Sequence, residues 1–464
     1  MIESDISLST TIPAPAAKMV HIETWGCQMN AADSERMLAL LAAQSYQLAP
    51  NAESADLVLL NTCHIREKAK HKVLSRLGVL KEIKERRPGM TIAVAGCVAQ
   101  AEGSRLLKAA PQIDVLLGPG KIDELPRLLR EHDASGKRAQ AIGFHRHAPD
   151  PTPNLEAAPA VAPPTLTGKH EVSRYVNIQQ GCNNYCTFCV VPFTRGRELS
   201  RPAAEILAES AALVAAGARE LTLLGQNVNS YGSDLTTKPS FASLLRSVAA
   251  LPGLERLRFT TSNPHDFTEE LAELFATQPR LGRYLHLPVQ SGSDSMLLRM
   301  QRKVTVASYL ERIDWLRRAL PDIALSTDLI VGFPGETDAE FADTMRLVEQ
   351  VRFGFAFMFK YSPRKNTPAA RYANQVEEKV KEDRLAQLMR LQDRITTEIH
   401  AAEIGLVRPV LFHYESSKNP GQYYGRTDHF RLVRVTSAYP LTGQVHQVRI
   451  SSGNKVGLIG DLVD

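Results

Sequence analysis

Six cysteines stand in this 464-residue chain, and they divide three and three. Cys182, Cys186 and Cys189 form a C-x3-C-x2-C cluster within eight residues. Three soft thiolates that close together can wrap one small metal centre, and iron–sulfur clusters and zinc are the leading occupants. Structural zinc needs a fourth ligand, and the next residues, Val190-Val191-Pro192-Phe193, bring none. Three ligands on a four-iron cube leave one iron open, which suits a catalytic site. Cys27, Cys63 and Cys97 are 36 and 34 residues apart, the length of one strand–helix–strand step. Each follows an apolar run. In a parallel sheet the carboxyl ends share one edge, where ligand sites of open α/β sheets form, so the spacing predicts a second three-thiolate site. The alternative is three unrelated buried cysteines, since the residue is commonly buried.

The elements that must position these thiols read as follows. Residues 1–18 form a flexible Ser/Thr/Pro/Ala leader. Strands are predicted at Met19–Thr24, Leu57–Leu60, Thr91–Ala95 and Asp114–Leu117, with helices from Asn30, over Arg66–Arg86 and over Lys121–Arg130. Apolar strands alternating with helices imply a doubly wound parallel sheet over 19–135. Residues 136–172 carry six prolines between Pro149 and Pro164 and read as a semi-extended linker. The α/β rhythm resumes over 173–403, with strands at Tyr175–Gln179, Glu220–Leu224, Arg256–Thr260, Tyr284–Leu287, Ile323–Val331 and Phe355–Phe359. Six such units predict a partial (β/α)6 barrel rather than a full eight-unit one, followed by a long charged helix over Val376–Ala402. Residues 404–464 change to short β runs, Val410–Tyr414, Phe430–Val435 and Gln444–Ile450, separated by turns, the pattern of a small all-β barrel.

Composition sets the limits. Hydrophobic residues are 44% and charged residues 23%, with a net charge of +5, ordinary for a soluble globular protein. Six cysteines are too few for a disulfide-stapled secreted fold. The first residues lack a basic n-region and an apolar h-region, no apolar run approaches a membrane span, and no lipidation motif is seen. The expectation is a cytoplasmic protein without a membrane partner. Residues 404–464 hold seven Lys/Arg against four Asp/Glu, so more than half of the net charge lies in the last segment.

Cys182-Asn183-Asn184-Tyr185-Cys186-Thr187-Phe188-Cys189 resembles the signature of radical S-adenosylmethionine (SAM) enzymes. Further stretches make the resemblance nearly full-length and closest to the methylthiotransferases. They are Gly26-Cys27-Gln28-Met29-Asn30, Asn61-Thr62-Cys63-His64-Ile65-Arg66-Glu67-Lys68-Ala69, Gly96-Cys97-Val98-Ala99-Gln100, the run from Leu224 to Tyr231, the run from Leu285 to Gly292, and that from Val331 to Thr337. Gln28-Met29-Asn30 is similar to the type acting on isopentenyl-adenosine in tRNA. Relatives acting on a ribosomal-protein aspartate or on threonylcarbamoyladenosine typically carry Pro-Lys-Asn or Lys-Val-Asn there. His64 departs from the more usual Ala. The last segment resembles the TRAM module, a β-barrel that binds RNA, although Asp428-His429 is untypical of its turn.

The resemblance implies methylthiolation of carbon 2 of N6-isopentenyladenosine at position 37 of tRNA, next to the anticodon, with two 4Fe–4S clusters and SAM as cofactors. An aromatic C–H is not acidic and offers no leaving group, so a radical route fits, with the protein positioning and shielding the cofactors. Cys182, Cys186 and Cys189 would hold the SAM-binding cluster, and Cys27, Cys63 and Cys97 an auxiliary cluster that carries or donates sulfur. It further implies SAM contacts at Phe188, Gly225, Gln226 and Asn227, and at Ser326 and Asp328 facing the ribose. The alternative for Asp328 is a strand-end residue capping a loop, and His286 reads equally as a core histidine. Gly332 and Gly335 make a turn. Arg195 and Arg197 read as phosphate or SAM-carboxylate ligands, or as a solvated pair.

Tyr423, Tyr424, Arg426, Arg431 and Arg434 suit stacking and phosphate contact with RNA, the tyrosines alternatively being packing residues. The basic helix with Lys68, Lys70, Lys72, Lys81, Lys84, Arg86 and Arg87 reads as a solvated face because Glu82 and Glu85 interleave. A flavodoxin- or ferredoxin-like reductant and a sulfur donor are the remaining expected partners. The competing readings are the same chemistry on a ribosomal-protein aspartate or threonylcarbamoyladenosine, and, outside enzymes, an iron–sulfur electron carrier or RNA-binding module.

Overall fold

The computed structural model describes residues 17–63, 67–144 and 172–463. The first sheet has six parallel strands: β1 (Lys18–Trp25), β2 (Tyr46–Leu48), β3 (Leu57–Thr62), β4 (Thr91–Gly96), β5 (Val115–Leu117) and β6 (Ala139–Ala141), in the order β2-β1-β3-β4-β5-β6. Central strands β3 and β4 are buried on both faces, which is why they read as continuous apolar runs. On one face Val58, Leu60, Ile92 and Val94 meet Leu77 and Leu80 of helix α2 (Glu67–Arg86). On the other, Leu57, Leu59, Ala93 and Ala95 meet Met37 and Leu41 of helix α1 (Gln28–Ala42). The sheet is therefore doubly wound, as expected.

Two edge strands escape the sequence pattern. β2 and β6 are three residues each, too short to alternate legibly. β6 corrects the expected linker start at 136: Val115 pairs with Ala139, so the sheet runs on to Ala141. Its Ala-Gln-Ala sequence carries no strand signal of its own, and the open edge of β5 supplies the backbone partners. The leader up to residue 16, His64 to Arg66 and the proline-rich run lie outside the described residues.

In the central domain β7 (Ser173–Asn177) leads into the two-residue β8 (Gln179–Gln180), which pairs antiparallel with β9 (Leu199–Ser200). β10 (Glu220–Leu224) lies between β7 and β11 (Arg256–Thr260), and β13 (Ala324–Val331) between β12 (Tyr284–His286) and β14 (Phe355–Lys360), all parallel. A bridge between Leu257 and Leu281 joins the two halves. No pairing among the described residues links β7 to β14, so the six strands form an open, partial barrel. Val176, Leu221, Leu223, Leu257, Phe259, Leu325 and Leu329 face outward into the largest core. Strand alternation therefore turns Tyr175, Asn177, Arg258, Ser326 and Asp328 into the lumen. The long helix Glu378–Ala401 closes the outside of β14 through Leu388, Leu391 and Ile395.

The chain ends in a closed five-stranded barrel, β15 (Val407–Glu415), β16 (Gln422–Thr427), β17 (Leu432–Thr436), β18 (Val445–Gly453) and β19 (Leu458–Leu462), ordered β15-β16-β17-β19-β18. β16 and β19 were not among the expected strands. Gly425 is obligatory in β16, because a Cβ there would lie 2.5 Å from the Leu411 carbonyl oxygen.

This barrel stoppers the amino-terminal ends of the central strands. Buried Glu220 takes hydrogen bonds from Arg258 (2.9 Å) and Arg256 (3.4 Å), and lies 3.4 Å from His413 Nε2. Arg258 donates onward to the Thr427 and Asp428 carbonyls, and Arg256 to that of Arg426. Phe430 stacks on Tyr284 at 4.7 Å. The untypical Asp428-His429 turn has a local purpose: Asp428 pairs with Arg256 and His429 with Asp322. Burial works against the Glu220 charge, but Arg258, His413 and Arg256 hold its carboxyl well below the usual range. Glu220→Ala should leave buried Arg258 without its anion and Arg256 with Asp428 alone, and cost about 3–5 kcal/mol of unfolding free energy. Denaturant unfolding measures it, and a loss under about 1 kcal/mol would mean the backbone bonds hold the interface alone.

Candidate active site

Strand register brings the first cysteine triplet together. Trp25 is opposite Thr62, and Thr62 opposite Gly96, so three adjacent strands end level and Cys27, Cys63 and Cys97 follow on one edge. The Cys63 N–H donates to the Trp25 carbonyl (3.0 Å). Cys27 caps α1, and Cys97 opens helix α3 (Cys97–Glu102). The turn into α3 requires Gly96: its φ is +91°, and a Cβ would sit 2.4 Å from the Thr62 carbonyl oxygen. Beneath the triplet, Asn30 donates to Asn61 Oδ1 (3.0 Å), while Asn61 donates to the Asn30 carbonyl and Ser34 Oγ (2.8 Å each). The Cys27 thiol is pulled down to about 6, first by its hydrogen bond with Cys63 and then, against burial, by the charge of Arg195. Burial raises Cys97.

The second triplet lies on the loop after β8. Gly181, at φ +81°, brings this loop against the Arg197 carbonyl, where a Cβ would be 2.0 Å away. The loop is anchored by Cys182 N–H to the Gly196 carbonyl (3.2 Å) and Thr187 N–H to that of Met300 (3.1 Å). Asn184 Nδ2 donates to Cys182 Sγ (3.6 Å), Val191 N–H to Cys189 Sγ (3.5 Å) and buried Arg302 to Cys186 Sγ (3.4 Å). Burial pushes the Cys182 thiol up to about 11 and Cys189 up to about 12, so a metal centre displaces their protons as it binds.

Among the described residues no three Cys, His, Asp or Glu side chains converge on a single ion. Zinc–thiolate bonds of about 2.3 Å would place sulfurs about 3.8 Å apart. A multi-iron cluster binds each thiolate through a different iron and needs a wider triangle. Two sets of three soft donors, each served by hydrogen-bond donors to sulfur or by a buried arginine, fit such clusters. Buried polar atoms without hydrogen-bond partners, Asn177 Oδ1, Gln179 Oε1 and Asn227 Oδ1, are what a polar cofactor would satisfy.

Arg195 corrects the reading of it as a phosphate or SAM-carboxylate ligand. Only six residues after Cys189, it crosses to the first domain, where Nη2 donates to Asp33 Oδ2 at 2.7 Å; both side chains are buried. Burial opposes its charge, but Asp33, Cys97 and Cys27 outweigh that and hold the guanidinium firmly protonated. Its Nη1 has no hydrogen-bond partner. Asn177 Nδ2 reaches Asp33 Oδ1 (3.3 Å), and Arg174 pairs with Glu35 (3.3 Å). Sequence reasoning missed Asp33 and Glu35. The available signal was two acids in the first turns of the helix that Cys27 opens.

The other expected residues sort by position. Gln226 accepts the Gly181 N–H and thus holds the cysteine loop. Gly225 exchanges backbone hydrogen bonds with Thr260 and Thr261 at 3.0 Å. Asn227 is buried between Glu198 (3.3 Å) and Asp266 (2.7 Å). Phe188 packs with Met296, Met300, Ile330 and Phe333. Ser326 is fully buried, bonded to Tyr284 Oη (2.6 Å) and His286 Nδ1 (2.8 Å). The other His286 nitrogen lies 3.3 Å from Asp328, whose carboxylate stays partly open to the lumen. Arg431 pairs with Glu403, and the Arg426 guanidinium lies over the Phe430 ring at 4.1 Å. Tyr414, Tyr424 and Arg434 form a cross-strand row, the two tyrosines stacked at 5.4 Å.

An open parallel barrel with a C-x3-C-x2-C loop behind its first strand defines a radical SAM protein. The radical SAM superfamily profile matches residues 176–348, and that of "Uncharacterized protein family UPF0004" matches 19–118. A protein of Geotalea uraniireducens is 44% identical, covering 96% of this chain and 99% of its own. Relatives in Anaeromyxobacter dehalogenans and Maricaulis maris are each 46% identical, covering 97% and 96% of this chain, and 96% and 97% of their own. All three carry the name tRNA-2-methylthio-N(6)-dimethylallyladenosine synthase, and the chain belongs to that family. Among solved structures, the radical SAM methyltransferase TsrM of Kitasatospora setae superposes with a TM-score of 0.55 at 15% identity, over 76% of this chain and 74% of its own, a likeness of fold.

Proposed function

We propose that this chain adds a methylthio group to carbon 2 of N6-dimethylallyladenosine at position 37 of tRNA. The carrying observation is the pair of cysteine triplets, one at a level sheet edge and one on the barrel loop, tied together by Arg195 and Asp33. Near-full-length relatives of that name support the substrate. Cys182, Cys186 and Cys189 would hold a 4Fe–4S cluster with an iron open to SAM, and Cys27, Cys63 and Cys97 an auxiliary 4Fe–4S cluster. When bound, these groups supply the one-electron chemistry and sulfur that an unactivated aromatic C–H requires.

The protein's own part is positional. Arg302 donates to Cys186 Sγ of the barrel triplet, and Arg195 sets positive charge against the sheet triplet. Asn177, Gln179 and Asn227 offer unsatisfied polar atoms to SAM, and Asp328 a carboxylate to its ribose hydroxyls. The Tyr414–Tyr424–Arg434 row suits RNA stacking and phosphate contact. The division of labour we read is a sulfur-inserting domain over 19–141, a SAM domain over 173–403 and an RNA-binding barrel over 404–464. A flavodoxin- or ferredoxin-like reductant, a sulfur donor and a cytoplasmic location complete the proposal; no described helix is long and apolar enough to cross a membrane.

Nucleoside mass spectrometry of tRNA from a deletion strain tests it. 2-Methylthio-N6-isopentenyladenosine should disappear and the unthiolated nucleoside accumulate. An unchanged profile would refute the proposal.

A further inference from the structure

Strand β14 reads Phe355-Ala356-Phe357-Met358-Phe359-Lys360. Ala356 and Met358 enter the outer core. The three phenylalanines occupy the opposite, lumen face and are 48%, 41% and 40% exposed. Exposed apolar side chains scattered singly need no explanation, but three in one row mark a binding surface. Register places Phe355 beside Ser326, Phe357 beside Asp328 and Phe359 beside Ile330. The His286 ring meets Phe357 edge-on at 5.8 Å while its nitrogens contact Ser326 and Asp328. Ile330 in turn packs with Phe188 of the cysteine loop. The stripe is therefore continuous with the candidate active site.

Charge decides what chemistry suits this wall. The acidic side chain beside the stripe on β13 is Asp328, a poor neighbour for an acidic substituent. The lumen cations Arg256 and Arg258 are engaged by Glu220 and by the C-terminal barrel. A substrate bearing its own carboxylate, an aspartate side chain or a threonylcarbamoyl group, finds no cation offered by the stripe. A branched hydrocarbon finds aromatic faces and edges.

We propose that Phe355, Phe357 and Phe359 form the subsite for the five-carbon dimethylallyl group of the substrate base, and so set the enzyme's preference for prenylated over unprenylated tRNA. This rests on the proposed function above. Withdrawing five apolar carbons from water supports a preference on the order of a hundredfold.

The test measures binding of two anticodon stem–loops, identical but for the dimethylallyl group, to the reconstituted full-length protein. Wild type, Phe357→Leu, Phe357→Ala and Phe355→Ala/Phe357→Ala are compared at matched iron content. Wild type should prefer the prenylated RNA strongly. Phe357→Ala should cut the ratio of affinities at least tenfold, the double variant further, and Phe357→Leu should keep most of it. An unchanged ratio in the double variant would overturn the subsite, as would equal weakening toward both RNAs. Wild type that neither prefers nor methylthiolates the prenylated RNA would instead sink the functional reading itself, before any variant is compared.

Discussion

Cys186→Ala should abolish SAM cleavage, whereas Cys63→Ala should retain cleavage and lose methylthiolated product. Each variant should carry about four irons after anaerobic reconstitution against about eight for the unaltered chain. The two thiols serve different sites. Cys186 sits on the barrel loop against Arg302, and Cys63 continues β3 at the sheet edge. With three ligands per site, losing one removes a third of the protein's hold. Loss of a mere outer-shell partner of a metal site costs roughly 10–100-fold, so loss of a ligand should exceed it. Cys186→Ala also leaves the Arg302 guanidinium buried with one partner fewer, although its bond to the Pro288 carbonyl (2.7 Å) remains. Iron analysis, SAM-cleavage assays and nucleoside analysis read the three outcomes separately. Full product from Cys63→Ala would end the auxiliary role. About four irons in the unaltered chain would end the two-site reading, and one zinc per chain would end both.

The two triplets were legible because their information is local. Cys63 and Cys97 directly follow runs that bury both faces, and such runs announce parallel central strands whatever lies elsewhere. The barrel strands Glu220–Leu224 and Arg256–Thr260 fall where the pattern places them, for the same reason. Destinations of charged side chains were not legible. Arg195 finds Asp33 across 162 residues, and Arg431 finds Glu403 across 28; nothing in their sequence neighbourhoods names those partners. Arg426 and Arg431 carried an RNA-like composition, and the fold turns Arg431 onto Glu403 and Arg426 onto Phe430 of its own barrel. β6 exists because β5 offers it an edge. His286 divided evenly between core and site, and the structure gives it both: a buried ring whose nitrogens order Ser326 and Asp328.

Arg195→Met should uncouple stability from function. Asp33 and Arg195 are both more than nine-tenths buried, and removing one member of such a pair leaves an uncompensated charge, at a cost of about 3–5 kcal/mol. Asn177, 3.3 Å from the other Asp33 oxygen, cannot neutralise it. Replacing both members by apolar residues of similar volume, Arg195→Met with Asp33→Leu, is often neutral or better, so the double variant should unfold near the wild-type denaturant midpoint. Function should not return with it. The same guanidinium faces Cys27 and Cys97 and has an Nη1 without a protein partner, a donor poised for negative charge at the sheet triplet. Without it a cluster there is harder to reduce; a tenfold shift in that equilibrium is 59 mV for one electron. The double variant should therefore show a lower auxiliary potential, or auxiliary irons lost while the barrel irons stay, and Arg195→Lys should recover part of either. A stable double variant with both clusters at unchanged potential and full methylthiolation would reduce Arg195 to an interdomain strut.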